Sequence, residues 1–169
     1  MTRRDLLAAV PFAAAAVSAQ STSRPLIRPK ALRDGDTIGL ITPSTYVSDP
    51  DRLEDAARAV RYFGLKPKFG KNVAKRAGYL GGSIADRVED LHAMFGDPAV
   101  NGIFAIRGGY GSAQLLDRID YDLIRSNPKV FVGYSDITAM HLAINKKAGL
   151  KCVPTRFARP DHGVTCRDR

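Results

Sequence analysis

Short apolar runs and amphipathic segments alternate along the middle of the chain, and this pattern predicts strands separated by helices. Thr37–Thr42 is rich in β-branched residues and is ended by Pro43, which is typical of a buried strand. Three further strands are predicted at Lys66–Phe69, Val100–Ile106 and Lys129–Gly133.

The segments between these strands carry apolar residues at helical spacing. A helix is predicted at Pro50–Phe63, a second one begins at Ser83 with Asp86 as a capping-box-like partner, and a third covers Ser135–Ala148 and ends at Gly149. Shorter helical segments are predicted at Ala113–Ile119 and Tyr121–Ser126. The first two helices are expected to bury Leu53, Ala56, Ala57, Val60, Phe63, Ile84, Val88, Leu91 and Phe95.

This order predicts an α/β fold, a Rossmann-like parallel sheet flanked by helices on both faces. Reactive groups are then expected at the carboxyl ends of the strands. We assign residues 31–150 to this domain, residues 20–30 to a polar linker that contains proline, and residues 151–169 to a divergent tail.

The first nineteen residues have the three parts of an export signal: a basic start, an apolar stretch and small residues before a cleavage point. Arg3 and Arg4 lie in a segment that resembles the twin-arginine export motif. The alternative is an amphipathic helix that packs on the fold, but the linker after it favours export. Residues 1–19 therefore predict a periplasmic protein, or a cytoplasmic one if the signal is not used.

Composition excludes several classes of protein. The 169 residues carry a formal net charge of +9, which raises the question of nucleic-acid binding. A nucleic-acid surface is expected to interleave aromatic residues with a basic stripe, whereas here the aromatic residues fall largely within apolar runs. No nucleic-acid partner is therefore expected. No uninterrupted apolar run is long enough to span a bilayer. Cys152 and Cys166 lack companions at zinc-ligand spacing, so no metal site is predicted, although the two could pair after export.

Two motifs lie where a predicted strand turns into a helix. The first, Gly133-Tyr134-Ser135-Asp136, resembles the turn that presents a nucleophilic serine. Ile137, however, replaces the second glycine of the G-x-S-x-G pattern. Taken alone, the motif therefore favours a helix cap at Ser135 or Asp136. Arg107–Ser112 (RGGYGS) could approach an anion with its backbone amides or could simply be a tight turn. It matches neither nucleotide-binding glycine fingerprint, so a nucleotide-binding module is a distant alternative.

Together, the two motifs and their surroundings resemble the N-terminal domain of the serine LD-carboxypeptidase family. The similarity covers residues 28–150 and includes RPKALRDGDTIGLITPS, GYLGGSIADR, AIRGGYGSAQLLDRIDYDLI and NPKVFVGYSDITAMHLAI. This family contains the muramoyltetrapeptide carboxypeptidases and relatives that confer immunity to microcin C.

The resemblance implies a mechanism and a substrate. Ser135 matches the nucleophile, and the backbone N–H groups of Gly109 and Asp136 match the oxyanion hole. The family cleaves the bond between an L- and a D-amino acid, releases the terminal D-alanine of murein tetrapeptide, and uses neither a metal nor an organic cofactor. The resemblance also implies a second, β-rich domain that supplies a histidine and a glutamate to activate the serine.

The chain departs from the family pattern in the residues that should activate the serine. Glu54 and Glu89 lie on early helices, His92 is expected in the middle of a helix as a surface or boundary residue, His141 in the core and His162 in the tail. Residues 151–169 are expected to be a truncated or frameshifted continuation that lacks the second domain, and the surface left uncovered invites a homodimer. Two hypotheses stay open: a serine LD-carboxypeptidase, or a catalytically inactive, truncated or peptide-binding domain.

Overall fold

The computed structural model describes residues 24–154 and contains one parallel sheet of five strands. The strands are β1 (Thr37–Ile41), β2 (Lys66–Phe69), β3 (Gly102–Ala105), β4 (Val130–Gly133) and β5 (Val153–Pro154). Their order across the sheet is β2-β1-β3-β4-β5. The predicted α/β class with a parallel sheet is confirmed, and each of the four predicted strands is present.

The direction of the chain across the sheet reverses at β1. From β1 the chain moves to β2 on one side, and from β2 it returns past β1 to β3, β4 and β5 on the other side. Ile38 of β1 therefore pairs with Pro67 of β2 and with Gly102 of β3. In such sheets, ligands bind beyond the carboxyl ends of the strands at the reversal, which here lies between β1 and β3.

Within residues 24–154, four α-helices connect the strands. They are α1 (Pro50–Tyr62), α2 (Ile84–Gly96), α3 (Tyr121–Ser126) and α4 (Thr138–Ala148). Two predicted helical segments differ from the structure. In place of the helix predicted at Ala113–Ile119 there is a short 3-10 helix, Ser112–Leu115. The segment predicted as one helix at Ser135–Ala148 begins with a separate 3-10 helix, Ser135–Ile137. Gly149 ends α4 in the left-handed conformation, with φ of +72°, as predicted.

The two faces of the sheet are covered unequally. Side chains of α2, α3 and α4 pack on one face in the larger core, whereas α1 packs on the other face against Ile38 and Leu40. On that second face Phe104, Ile106 and Val132 are only half-buried. Two apolar residues that were predicted to be buried are exposed: Phe63 lies just after α1, at 46% exposure, and Ile84 is the first residue of α2, at 41%.

Local hydrogen bonds start the first two helices. The Asp49 carboxylate accepts a hydrogen bond from the backbone N–H of Asp51 at the start of α1. Ser83 and Asp86 form the predicted capping box at the start of α2. Hydrogen bonds from the Lys75 ammonium, and then from Ser83, lower the pKa of Asp86 to about 2, so the box is built around an ionised carboxylate.

The ends of the described chain differ from the sequence-based boundaries. Ile27, expected in a linker, forms a parallel bridge with Leu150 and donates a hydrogen bond from its N–H to the carbonyl of Gly149 at 2.7 Å. β5 carries the sheet beyond residue 150, the expected end of the domain. The predicted export signal, His162, Cys166 and most of the predicted tail lie outside the described residues.

Within residues 24–154, no helix combines the length and apolarity that crossing a bilayer requires. The same residues bring together no group of three or more histidine, cysteine, aspartate or glutamate side chains placed to hold a metal ion.

The capping box predicts a stability difference between two exposed serines. Ser83→Ala removes the hydroxyl that accepts the Asp86 N–H at 3.1 Å, so we expect the free energy of unfolding to fall by about 1 kcal/mol. Ser48→Ala serves as the control, because Asp49 rather than Ser48 caps α1. Urea denaturation of both variants measures the difference, and equal stabilities would contradict the assignment.

Candidate active site

Three loops meet at the carboxyl edge of the sheet. The loop after β1 contains Ser44 and Thr45, the loop after β3 contains the Arg107–Ser112 motif, and the loop after β4 contains Ser135 and Asp136. These are the positions at which the sequence predicted reactive groups. The structure brings all three predicted site residues, Gly109, Ser135 and Asp136, into these loops.

Ser135 has a strained backbone at the turn between β4 and the following 3-10 helix. Its φ is +56°, and it is the one non-glycine residue with positive φ in the described part of the chain. The left-handed region is unfavourable for a residue with a Cβ, and such strain is concentrated at functional turns. Ser135 is also exposed, so the turn presents its hydroxyl to solvent.

Glycines let the chain pack closely around this turn. A Cβ on Gly133 would lie 2.4 Å from Cγ2 of Ile137, so Gly133 makes room for the residue that replaces the second glycine of G-x-S-x-G. A Cβ on Gly108 would lie 2.9 Å from the Tyr134 carbonyl oxygen and 3.2 Å from Cβ of Ser135. The Arg107–Ser112 motif therefore packs directly against the serine turn.

Gly109 needs to be glycine for two independent reasons. Its φ is +121°, and a Cβ there would lie 2.1 Å from Oγ1 of Thr45. The same Thr45 oxygen accepts a hydrogen bond from the N–H of Tyr110 at 3.1 Å. The tight-turn interpretation of the motif is thus confirmed. The anion-binding interpretation stays a prediction, although Gly109 is exposed and can be approached by a ligand.

The Asp136 side chain joins all three loops. One carboxylate oxygen accepts hydrogen bonds from the Ser44 hydroxyl at 2.6 Å and from the Ser112 N–H at 2.8 Å. The Ser112 hydroxyl in turn donates to the Asp136 carbonyl at 2.6 Å. Neither Ser135 nor Asp136 makes a side-chain cap, so the helix-cap interpretation was wrong. The carboxylate binds the neighbouring loops instead of the helix.

Asp136 is also the second residue of its 3-10 helix. Backbone N–H groups in the first turn of a helix have no partner within that helix. They carry partial positive charge and suit an anion. With the carboxylate held by Ser44 and Ser112, the backbone of Asp136, the residue directly after Ser135, is fixed in place.

A buried arginine of α2 makes hydrogen bonds to the loops after β1 and β3. Arg87 of α2 is 2% exposed, and its guanidinium donates to the carbonyls of Pro43 at 3.1 Å and Gly111 at 3.0 Å, and to Oε1 of Gln114 at 3.0 Å. Burial lowers the pKa of Arg87, while Tyr79 and Asp136 oppose this shift. Arg87 thereby connects α2 to the loops after β1 and β3.

The described residues place no general base against the serine. Within residues 24–154, no hydrogen bond connects the Ser135 hydroxyl to a histidine or a carboxylate. Glu54 pairs with Arg61 on α1, and Glu89 pairs with Lys71. Both glutamates lie on the early helices α1 and α2, as predicted, and are engaged in these ion pairs.

The two described histidines occupy the positions predicted for them. His92 lies at a partly buried boundary, where its Nε2 accepts a hydrogen bond from the Asp120 N–H at 2.9 Å. His141 is buried against Phe131, with Nε2 at 3.2 Å from the Gly133 carbonyl oxygen. Burial lowers the pKa of both histidines, so the neutral forms are favoured.

A cavity of about 510 Å³ opens beside the serine turn on the α1 face of the sheet. Its walls are mostly apolar and come from α1 and β3, while Tyr134 and Arg107 lie at the site end. Arg52 and Asp55 of α1 also line it. A volume of this size accommodates part of a peptide.

Sequence reasoning missed Ser44, Ser112 and Arg87 as supports of the site. Each acts through a tertiary contact, and Ser44 is 92 residues from its partner Asp136. The GYLGGSIADR segment contains Arg87 and carried part of the family resemblance, which was the one available signal for it.

Comparison with known proteins identifies the family. A model described as the LD-carboxypeptidase N-terminal domain matches residues 38–154. The chain belongs to this family. The predicted membership is confirmed, and the match includes β5, beyond the boundary expected at residue 150.

Individual LD-carboxypeptidase relatives agree with this assignment. A probable murein peptide carboxypeptidase of Bacillus subtilis is 43% identical over 123 residues, which cover 73% of this chain and 38% of the relative. The crystal structure of an MccF-like protein from Bacillus anthracis superposes with a TM-score of 0.70 at 40% identity, covering 73% of this chain and 38% of that one. A muramoyltetrapeptide carboxypeptidase from Oxalobacter formigenes gives a TM-score of 0.62 at 27% identity, covering 76% and 44%. The chain thus spans about two fifths of the length of these LD-carboxypeptidases.

The buried guanidinium predicts a large loss of stability on substitution. Arg87→Met leaves the carbonyls of Pro43 and Gly111 without their charged donor, so we expect the free energy of unfolding to fall by about 3 kcal/mol. The matched control is Arg52→Met, because Arg52 is exposed and we expect a change within about 0.5 kcal/mol. Chemical denaturation measures the free energy of unfolding of both variants. Similar losses in the two would contradict the assigned role of Arg87 in holding the loops after β1 and β3.

The histidine environments predict a pH dependence of stability. Because the folded state lowers the pKa of His92 below its ordinary value of 6.5, its contribution is present above pH 6.5 and is lost as the pH falls through the lower folded value. His92→Gln should therefore make the decline of the melting temperature between about pH 7 and pH 5 shallower. Thermal denaturation across this range tests the prediction, which an unchanged slope in the variant would refute.

Proposed function

We propose that this domain supplies the nucleophile and the oxyanion hole of a serine LD-carboxypeptidase acting on murein peptides. The observation that carries the proposal is the strained, exposed Ser135, held between the turn that contains Gly109 and the N–H of Asp136. Family membership supports the same roles for these residues. The substrate class is supported by relatives named murein peptide carboxypeptidase and muramoyltetrapeptide carboxypeptidase.

The proposed reaction proceeds in two stages. The Ser135 oxygen attacks the carbonyl carbon of the L,D peptide bond while a base takes its proton, and the developing oxyanion receives hydrogen bonds from the N–H groups of Gly109 and Asp136. Collapse of the tetrahedral intermediate breaks the C–N bond, and the amine of D-alanine leaves with a proton from that base. Water then attacks the ester carbonyl while the base takes its proton, the bond to the Ser135 oxygen breaks, that oxygen regains the proton, and the shortened peptide is released.

The proposed mechanism needs a base from outside residues 24–154. The family resemblance implies a histidine and a glutamate from a second domain, and the chain spans 38% of the Bacillus subtilis relative. A serine without a base is a poor nucleophile at neutral pH. This favours one second candidate, in which the chain by itself binds the peptide without cleaving it.

The site of action follows from the N-terminal pattern and belongs to the same proposal. Residues 1–19 resemble an export signal, so we propose that the protein meets murein peptides in the periplasm.

Release of D-alanine from murein tetrapeptide by the purified 169-residue chain tests the proposed function. Any release above the background rate should depend on Ser135 and fall to that background in Ser135→Ala, a loss of about 10³-fold or more when the base is present. Ser48→Ala, which changes another exposed serine, should retain the wild-type rate.

Two other outcomes are informative. Release that survives in Ser135→Ala would refute the assigned nucleophile. Absence of release from a folded, monodisperse sample would contradict independent catalysis, and peptide binding by that sample would then support the second candidate.

A further inference from the structure

A cationic side chain without a carboxylate partner lies at the junction of the glycine turn and the cavity. Arg107 directly follows β3 and precedes Gly108 and Gly109, and its side chain is exposed. One of its guanidinium nitrogens donates to the Tyr46 carbonyl at 3.2 Å. No ion pair joins Arg107 to a carboxylate among residues 24–154, so most of its five N–H donors remain for another acceptor.

Four other arginines of the described chain already contact acceptors or an aromatic ring. Arg58 and Arg61 pair with carboxylates on α1, and Arg87 is buried among carbonyls. Arg76 stacks 4.2 Å from the ring centroid of Tyr46 and donates to the Gly78 carbonyl. Arg107 differs from them in combining exposure, free donors and a position at the carboxyl edge of the sheet.

The position of Arg107 relates it to the proposed reaction centre. It lies in the loop after β3, at the chain reversal between β1 and β3 where ligands of such sheets bind. It lines the 510 Å³ cavity together with Tyr134, the residue before Ser135. Its Cα is two residues from Gly109, so the two Cα atoms are at most about 7.6 Å apart.

Substrate geometry requires an anion within that reach. In a carboxypeptidase substrate, the terminal carboxylate is separated from the scissile carbonyl carbon by one amide bond and one Cα, a distance of about 4 Å. A carboxylate so close to the oxyanion hole needs a cation, or it would oppose the negative charge that develops there. A guanidinium is suited to this role, because its planar donors fit a carboxylate in bidentate fashion.

We propose that Arg107 binds the C-terminal carboxylate of the substrate and thereby restricts the site to the last peptide bond. The inference rests on the proposed function and deepens it, since it assigns the group that would distinguish a carboxypeptidase from an endopeptidase. Arg107 is thus a specificity-determining residue, while bond cleavage depends on Ser135.

A binding experiment isolates this role from catalysis. In the 169-residue chain with Ser135→Ala, NMR titration compares murein tetrapeptide ending in free D-alanine with the same peptide ending in a carboxamide. We expect the free acid to bind about tenfold more tightly or better. Adding Arg107→Gln should reduce the preference to less than about twofold, and Arg107→Lys should restore part of it.

Arg52→Gln in the same Ser135→Ala chain is the matched control, because Arg52 lines the same cavity from α1 and its removal changes the charge equally. It should preserve the preference for the free acid. The inference is overturned if Arg107→Gln retains the preference, if Arg52→Gln abolishes it to the same extent, or if the parent chain binds the two peptides equally or binds neither.

The outcome is separable from that of the proposed function. Carboxylate preference that depends on Arg107, without D-alanine release by the wild-type chain, would support the inference and contradict independent catalysis. Release by the wild-type chain, with an unchanged preference in Arg107→Gln, would support the proposed function and overturn the inference. Equal melting temperatures of the variants confirm that the folded state is being compared.

Discussion

The buried guanidinium of Arg87 is the constraint on which the arrangement of the site depends. A charged group removed from water must find hydrogen-bond acceptors within the protein, and here two of them are the carbonyls of Pro43 and Gly111. The loops after β1 and β3 therefore have to converge above α2. The turn that contains Gly109 therefore has a fixed position relative to the loop after β1, because this convergence is imposed from within the fold.

A second level of support acts through Asp136. Its carboxylate connects Ser44 and Ser112, so the residue that would contribute an N–H to the oxyanion hole also fastens the three loops to one another. Preorganised donors of this kind stabilise charge without reorganising during the reaction. Arg87 and Asp136 thus explain how short loops on parallel strands can hold backbone groups in place.

The sequence predicted local features well and distant contacts poorly. The strand Thr37–Thr42 and the Ser83–Asp86 capping box depend on neighbouring residues, so their patterns are visible in a few letters. The helix-cap interpretation of Asp136 failed because its partner Ser44 lies 92 residues away. β5 escaped prediction because it has two residues and forms only beside β4. The roles of Gly109 and Ser135 came from family resemblance, since neither letter reveals its backbone conformation.

The positive φ of Ser135 lowers the stability of the folded state, whereas the proposed reaction requires the side chain of this same residue. Glycine would adopt this conformation without strain, whereas serine bears a conformational cost of about 1 kcal/mol or more. Selection for folding alone would thus favour loss of the side chain at this turn. Under the proposed function, the hydroxyl group is the reason for a side chain at this turn, and the backbone strain is the loss of stability that accompanies it.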